Sequence, residues 1–140
     1  MADPVRPAER MTAVAASALR AQQARMRVIA ENIANADATS TAGGGEPYRR
    51  QAAVFQTRET ENGGRGVRMA YVRQDPGPFK QEYDPKHPAA DANGYVRMPN
   101  VDPLVEAMDM REAQRAYEAN LNVIETARQL QARTLDILKK

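Results

Sequence analysis

Side chains able to do covalent or acid–base chemistry are few in these 140 residues: one histidine, His87, two serines, Ser17 and Ser40, and no cysteine. A serine nucleophile needs a base placed beside it. No spacing links either serine to His87, which sits between Lys86 and Pro88 and reads as a turn residue. No catalytic residue is assigned, and the chain is expected not to be an enzyme. The lack of cysteine excludes disulfides and thiolate metal sites, and one histidine excludes the usual imidazole clusters, so neither a metal nor a cofactor is expected. Gly43-Gly44-Gly45 and Gly63-Gly64-Arg65-Gly66 resemble phosphate-cradling loops, but no Gly-Lys-Ser/Thr follows them. Arg49, Arg50, Arg58, Arg65, Arg68 and Arg73 make the middle basic, yet they alternate with Glu46, Glu59 and Glu61 and lack an aromatic stacking platform. That pattern fits a solvated face or intersubunit ion pairs better than nucleic acid. What remains is recognition chemistry: the amides of Asn32, Asn35, Asn120 and Asn122, and the apolar stripes that carry them.

Those stripes are built from little bulk. Alanine supplies 25 residues, while Leu, Ile, Val and Phe together supply 22, or 16% of the chain. That fraction lies below the roughly 20% at which disorder sets in, but the net charge is only +2. Parts that fold only with partners are expected. The sequence pI of about 9.1 rests on a near balance of charges and names no partner. No run reaches the roughly 18 apolar residues of a membrane span, and no membrane insertion is expected. Arg6 and Arg10 before Met11–Ala15, with Ala16-Ser17-Ala18 following, have the outline of a signal peptide, but the apolar run is too short and the helical pattern continues through it.

Residues 1–8 hold Pro4 and Pro7 and read as a flexible leader. From Glu9 to Ala36 there is no Gly or Pro, and Ala15, Leu19, Gln22, Met26, Ile29, Ile33 and Ala36 step alternately by four and three. This predicts an N-terminal helix within 9–38 with a coiled-coil seam, ending near Asn35–Asp37 in a left-handed turn. Its apolar face has no Trp or Phe to anchor it on a membrane surface. Residues 39–100 read as a loop and a small β module. Tyr48–Thr57 and a strand around Val67, Met69 and Tyr71 make a hairpin, Asp75-Pro76-Gly77-Pro78 breaks the ladder, and Asn93-Gly94 turns the chain into Tyr95–Met98. Within 101–140 the helical period returns, with Asp102 as N-cap and Pro103 at the first helical position. Tyr117, Leu121, Ile124, Gln131, Leu135 and Leu138 form one stripe of this helix, and Ala116, Val123, Leu130 and Ile137 a second about 100° away. One partner helix cannot cover both. The expected fold is mainly α with a small β insert: terminal helices paired as one discontinuous coiled-coil domain, with an irregular β-hairpin module between them. Lateral packing between subunits follows, unless the second stripe is exposed residue by residue.

Asn32-Ile33-Ala34-Asn35-Ala36 resembles a segment shared by flagellar axial proteins of rod and hook. Asp75-Pro76-Gly77-Pro78-Phe79, Tyr83-Asp84-Pro85, His87-Pro88, Ala92–Val96, Pro99-Asn100-Val101 and Met110–Asn120 resemble the FlgC family of basal-body rod proteins more closely, over about residues 11–57 and 75–138. The resemblance implies a structural subunit of the proximal rod, the shaft carrying motor torque across the periplasm. It implies self-association, partners among the other proximal rod proteins, the rod adaptor protein and the distal rod protein, and passage through the flagellar type III export apparatus without a cleaved signal peptide. Candidate subunit-interface residues are Leu19, Met26, Ile29, Asn32, Ile33, Asn35, Pro99, Asn100, Val101, Tyr117, Asn120, Leu121, Ile124, Leu135 and Leu138. Asn35 either caps the helix or contacts a subunit, and Pro99–Val101 is either a rigid re-entry into the last helix or an intersubunit joint. The competing reading is a coiled-coil adaptor that forms a discrete oligomer.

Overall fold

A computed structural model describes residues 6–139. The order is α1 (Arg6–Ala34), β1 (Gln51–Glu59), β2 (Arg65–Gln74), β3 (Lys80–Tyr83), β4 (Tyr95–Met98) and α2 (Pro103–Lys139). The chain is therefore mainly helical with a β insert, as expected. Residues 1–5 of the expected leader and Lys140 lie outside the described residues. The described rest of that leader, residues 6–8, is helix, and Pro7 is accommodated within α1.

α1 ends at Ala34 without the expected left-handed residue, since no non-glycine φ is positive among the described residues. Three-residue turns close it instead: Ala36 N–H donates to Ile33 O (3.2 Å) and Ala38 N–H to Asn35 O (3.1 Å), while the Asn35 side chain donates to Glu31 O (2.8 Å). Ala36 thus falls beyond the seam. At the other long helix the expectation holds, with Leu104 N–H donating to Asp102 Oδ1 at 3.0 Å and Pro103 first in the helix.

The helices pair antiparallel, since the end of α1 meets the start of α2 at Asn32 and Glu106, and Arg25 pairs with Glu112 farther along. Burial falls at multiples of seven residues on both, Ala8, Ala15 and Ile29 on α1 and Glu106, Ala113 and Ala127 on α2, with Gln22 and Asn120 half-buried at the steps between. Seven is the coiled-coil period, and alanine at most of the buried positions lets the backbones approach closely. Bulky α2 residues flank this line. Tyr117, Ile124 and Gln131 are half-buried, whereas Leu121, Leu135 and Leu138 of the same expected stripe stay 44%, 46% and 65% exposed. Val123, Leu130 and Ile137 of the second stripe are exposed too.

A second face of α1, with Ser17, Ala21 and Val28 buried, meets the hairpin. β1 and β2 pair antiparallel from Gln51↔Gln74 to Glu59↔Arg65, with a bulge at Val54/Phe55 that breaks simple alternation. Gly66 lies so close to α1 that a Cβ would come within 2.5 Å of Ser17 Oγ, and Val67 N–H donates to that oxygen at 3.0 Å. β3 and β4 form a separate two-stranded sheet. The sequence reading missed β3 because Lys80-Gln81-Glu82-Tyr83 is exposed throughout and shows no apolar alternation. Gly94, with φ of 84°, makes the turn into β4, whose Val96 is buried.

Candidate functional site

At one end of the helix pair, five chain segments converge on a polar joint. Asn32 is 1% exposed in the last turns of α1. Its Oδ1 accepts from Tyr48 O–H (2.8 Å) and Gln51 N–H (2.9 Å), and its Nδ2 donates to Gln51 O (2.7 Å) and Glu106 Oε2 (3.2 Å). Every donor and acceptor of the amide is satisfied, and it pairs with the Gln51 backbone as a neighbouring strand would. Glu106, in the first turn of α2, is wholly buried. A buried carboxylate is costly unless paired, and Glu106 Oε1 accepts from Arg50 Nε.

The Arg50 guanidinium also reaches Asp75 (3.5 Å) and Asp109 (3.4 Å). It therefore plays the cation among three carboxylates. Burial alone would lower its pKa, but the hydrogen bond and charge of Glu106, with Asp75 and Asp109, outweigh burial and raise it above the ordinary guanidinium value. Burial, then the charges of Glu31 and Glu106, likewise push the Tyr48 phenol above its ordinary 10.0. Asn100 closes the joint: its Oδ1 accepts from Arg50 N–H at 2.7 Å and its Nδ2 donates to the carbonyls of Asp75 and Gly77 at 3.2 Å each. Arg49 donates to the same two carbonyls and stacks 4.1 Å over the Phe79 ring.

The candidate interface residues divide by where this architecture leaves them. Ile29, Asn32, Pro99 and Val101 are buried inside the chain itself. Leu19, Met26, Asn35, Asn100, Tyr117, Asn120 and Ile124 are half-buried, and the Asn120 amide donates back to Ala116 O at 2.7 Å. Ile33, Leu121, Leu135 and Leu138 are exposed. Pro99-Asn100-Val101 is a re-entry held from within, with Lys80 Nζ donating to Val101 O at 3.4 Å. Sequence reasoning missed Arg50, Glu106 and Asp75. A lone glutamate on an apolar helical step, Glu106, was the signal that could have found them.

The groups considered for catalysis serve local structure. Ser17 Oγ donates to Val14 O (2.6 Å), Ser40 Oγ accepts from Ala42 N–H (3.1 Å), and His87 Nδ1 accepts from Ala89 N–H (3.0 Å) in a turn. What the surface offers is an apolar row along α2: Leu104, Val105, Met108, Val123, Leu130 and Ile137.

Residues 13–41 match the family described as "Flagella basal body rod protein", and residues 92–137 match "Flagellar basal body rod FlgEFG protein C-terminal". The chain is 46% identical over 134 residues to the flagellar basal-body rod protein FlgC of Agrobacterium fabrum, covering 95% of this chain and 96% of that protein. It is 42% identical to FlgC of Salmonella typhimurium (89% and 92% covered) and 37% identical to FlgC of Bacillus subtilis (90% and 95% covered). The chain belongs to the FlgC family of flagellar basal-body rod proteins. The two family matches fall on α1 with the loop after it and on β4 with α2, the parts that the polar joint ties together. As a FlgC-family protein it is a structural subunit of the flagellar rod that associates with other rod components, and the adaptor alternative is not supported.

Proposed function

We propose that this rod subunit polymerises through the row of α2 that its own α1 leaves uncovered. Leu104, Val105 and Met108 near its start and Val123, Leu130 and Ile137 farther along lie on one side of α2 and are exposed, two apolar groups that a solitary chain would leave in water. Leu121, Leu135 and Leu138 elsewhere around α2, and Ile33 on α1, are further exposed apolar residues. Neighbouring copies and the other proximal rod proteins, with the rod adaptor below and the distal rod protein above, are the occupants. Torque passes from subunit to subunit as side-to-side helix contacts, with the polar joint keeping each β module rigid on its helix pair.

The function is mechanical and not catalytic. The subunit reaches the rod in the periplasm through the flagellar type III apparatus, without a cleaved signal peptide. Alanine-rich pairing of α1 and α2 suits that route, because the pair is weakly held until neighbours supply apolar surface. The test is the amide NMR spectrum of the purified chain beside the motility of a deletion strain. Poorly dispersed signals from α2 beyond Ala127 in a monomeric chain, together with lost motility, are expected. A dispersed spectrum from a discrete oligomer, or a motile deletion strain, would overturn the proposal.

A further inference from the structure

α1 lies between its two neighbours, packing against α2 on one side and against β1 and β2 on another. Where α1 and the hairpin diverge they leave an open groove of about 590 Å³. Its floor is small, with Ser17 and Ala21 buried and Ala16 and Ala24 half-buried, and the exposed residues that line it include Arg20, Arg58 and Arg68, together with Glu59 and Glu61. None of these three arginines is in an ion pair among the described residues, and Arg68 reaches only the Gln56 amide, at 3.4 Å. A small floor lets another helix approach closely, and unpaired guanidiniums favour a carboxylate on it.

The same chain carries a helical face of that chemistry. Glu118, Leu121 and Glu125 are exposed on α2 at spacings of three and seven, which place them on one side. Leu121 stands 44% exposed between two carboxylates about 10 Å apart along the axis. We propose that the groove between α1 and the hairpin receives the Glu118–Leu121–Glu125 face of α2 from a second copy, a proposal that rests on the rod reading. Leu121 enters over the small floor while the two carboxylates meet the exposed arginines. The two surfaces are different, so the contact is head-to-tail and repeats along a polymer.

The absence of native cysteine makes the test clean. In a strain whose only copy carries Met69→Cys and Leu121→Cys, disulfide-linked oligomers are expected in isolated basal bodies. Arg20→Glu with Arg58→Glu, or Glu118→Arg with Glu125→Arg, is expected to lower incorporation about tenfold or more through like-charge repulsion. All four changes together should restore it. All four positions are exposed, and helical ellipticity of each purified variant checks folding, with Arg58→Gln and Glu125→Gln as milder replacements. Absence of cross-links in a motile strain, unchanged incorporation after either reversal, or failure of the fourfold variant to recover overturns the proposal. Absence of the tagged wild-type chain from basal bodies would instead overturn the rod reading.

Discussion

At the scale of single residues, Arg50 decides more than any apolar side chain. It is the counter-ion of a fully buried glutamate, so its removal strands a charge inside the molecule. Arg50→Ala is expected to cost about 3–5 kcal/mol, read by denaturant unfolding, whereas replacing Arg50 and Glu106 together by Met and Leu costs much less. Tyr48 gives the joint a dependence on pH. Its folded pKa lies above its unfolded value, so the folded state keeps the phenolic proton longer. The stabilisation is complete below about pH 10 and is lost as pH rises through the folded value. Helical ellipticity followed from pH 8 upward should therefore fall in the alkaline range, and Tyr48→Phe should remove the Tyr48 part of that fall.

Elements are placed by close approaches as much as by apolar area. The hairpin lies against α1 because Gly66 has no side chain and Ser17 Oγ takes the Val67 N–H. Gly66→Ala drives a methyl group into Ser17 and is expected to destabilise by about 1–3 kcal/mol, with hydrogen exchange rising in β1 and β2 before it rises in α2. Arg10 adds a tie at the hairpin tip, donating to Asn62 O at 2.9 Å. The start of α2 depends on its cap in the ordinary way: Asp102→Ala should cost about 1 kcal/mol, measured as a lower unfolding midpoint.

For the whole molecule, the telling asymmetry lies along the helix pair. One end is fastened by Asn32, Glu106 and Arg50, while beyond Ala127 α2 buries nothing fully and shows Leu130, Leu135, Ile137 and Leu138 to solvent. About 55 Å of α2 runs beside about 43 Å of α1. Leu130→Asp with Ile137→Asp is expected to leave the helix content of the purified chain unchanged within error and to abolish motility and recovery of the protein in basal bodies. An unaffected strain would show that this row is not a subunit contact.

The sequence alone determined the two terminal helices, the hairpin between them, the Asp102 cap and the flagellar axial resemblance, because period, turn residues and motifs are local properties. It did not determine β3, whose four exposed polar residues become a strand only by pairing with β4. Nor did it determine which α2 stripe meets α1. The period marked the bulky leucines, but closely packed helices put Ala113 and Ala127 at the centre and left Leu121 and Leu135 exposed. The polar joint was the least legible part, since Asn32, Arg50, Asp75, Asn100 and Glu106 are scattered over more than half of the described chain and share no spacing. Only the tertiary structure could show that one buried carboxylate had gathered the partners a low-dielectric interior demands.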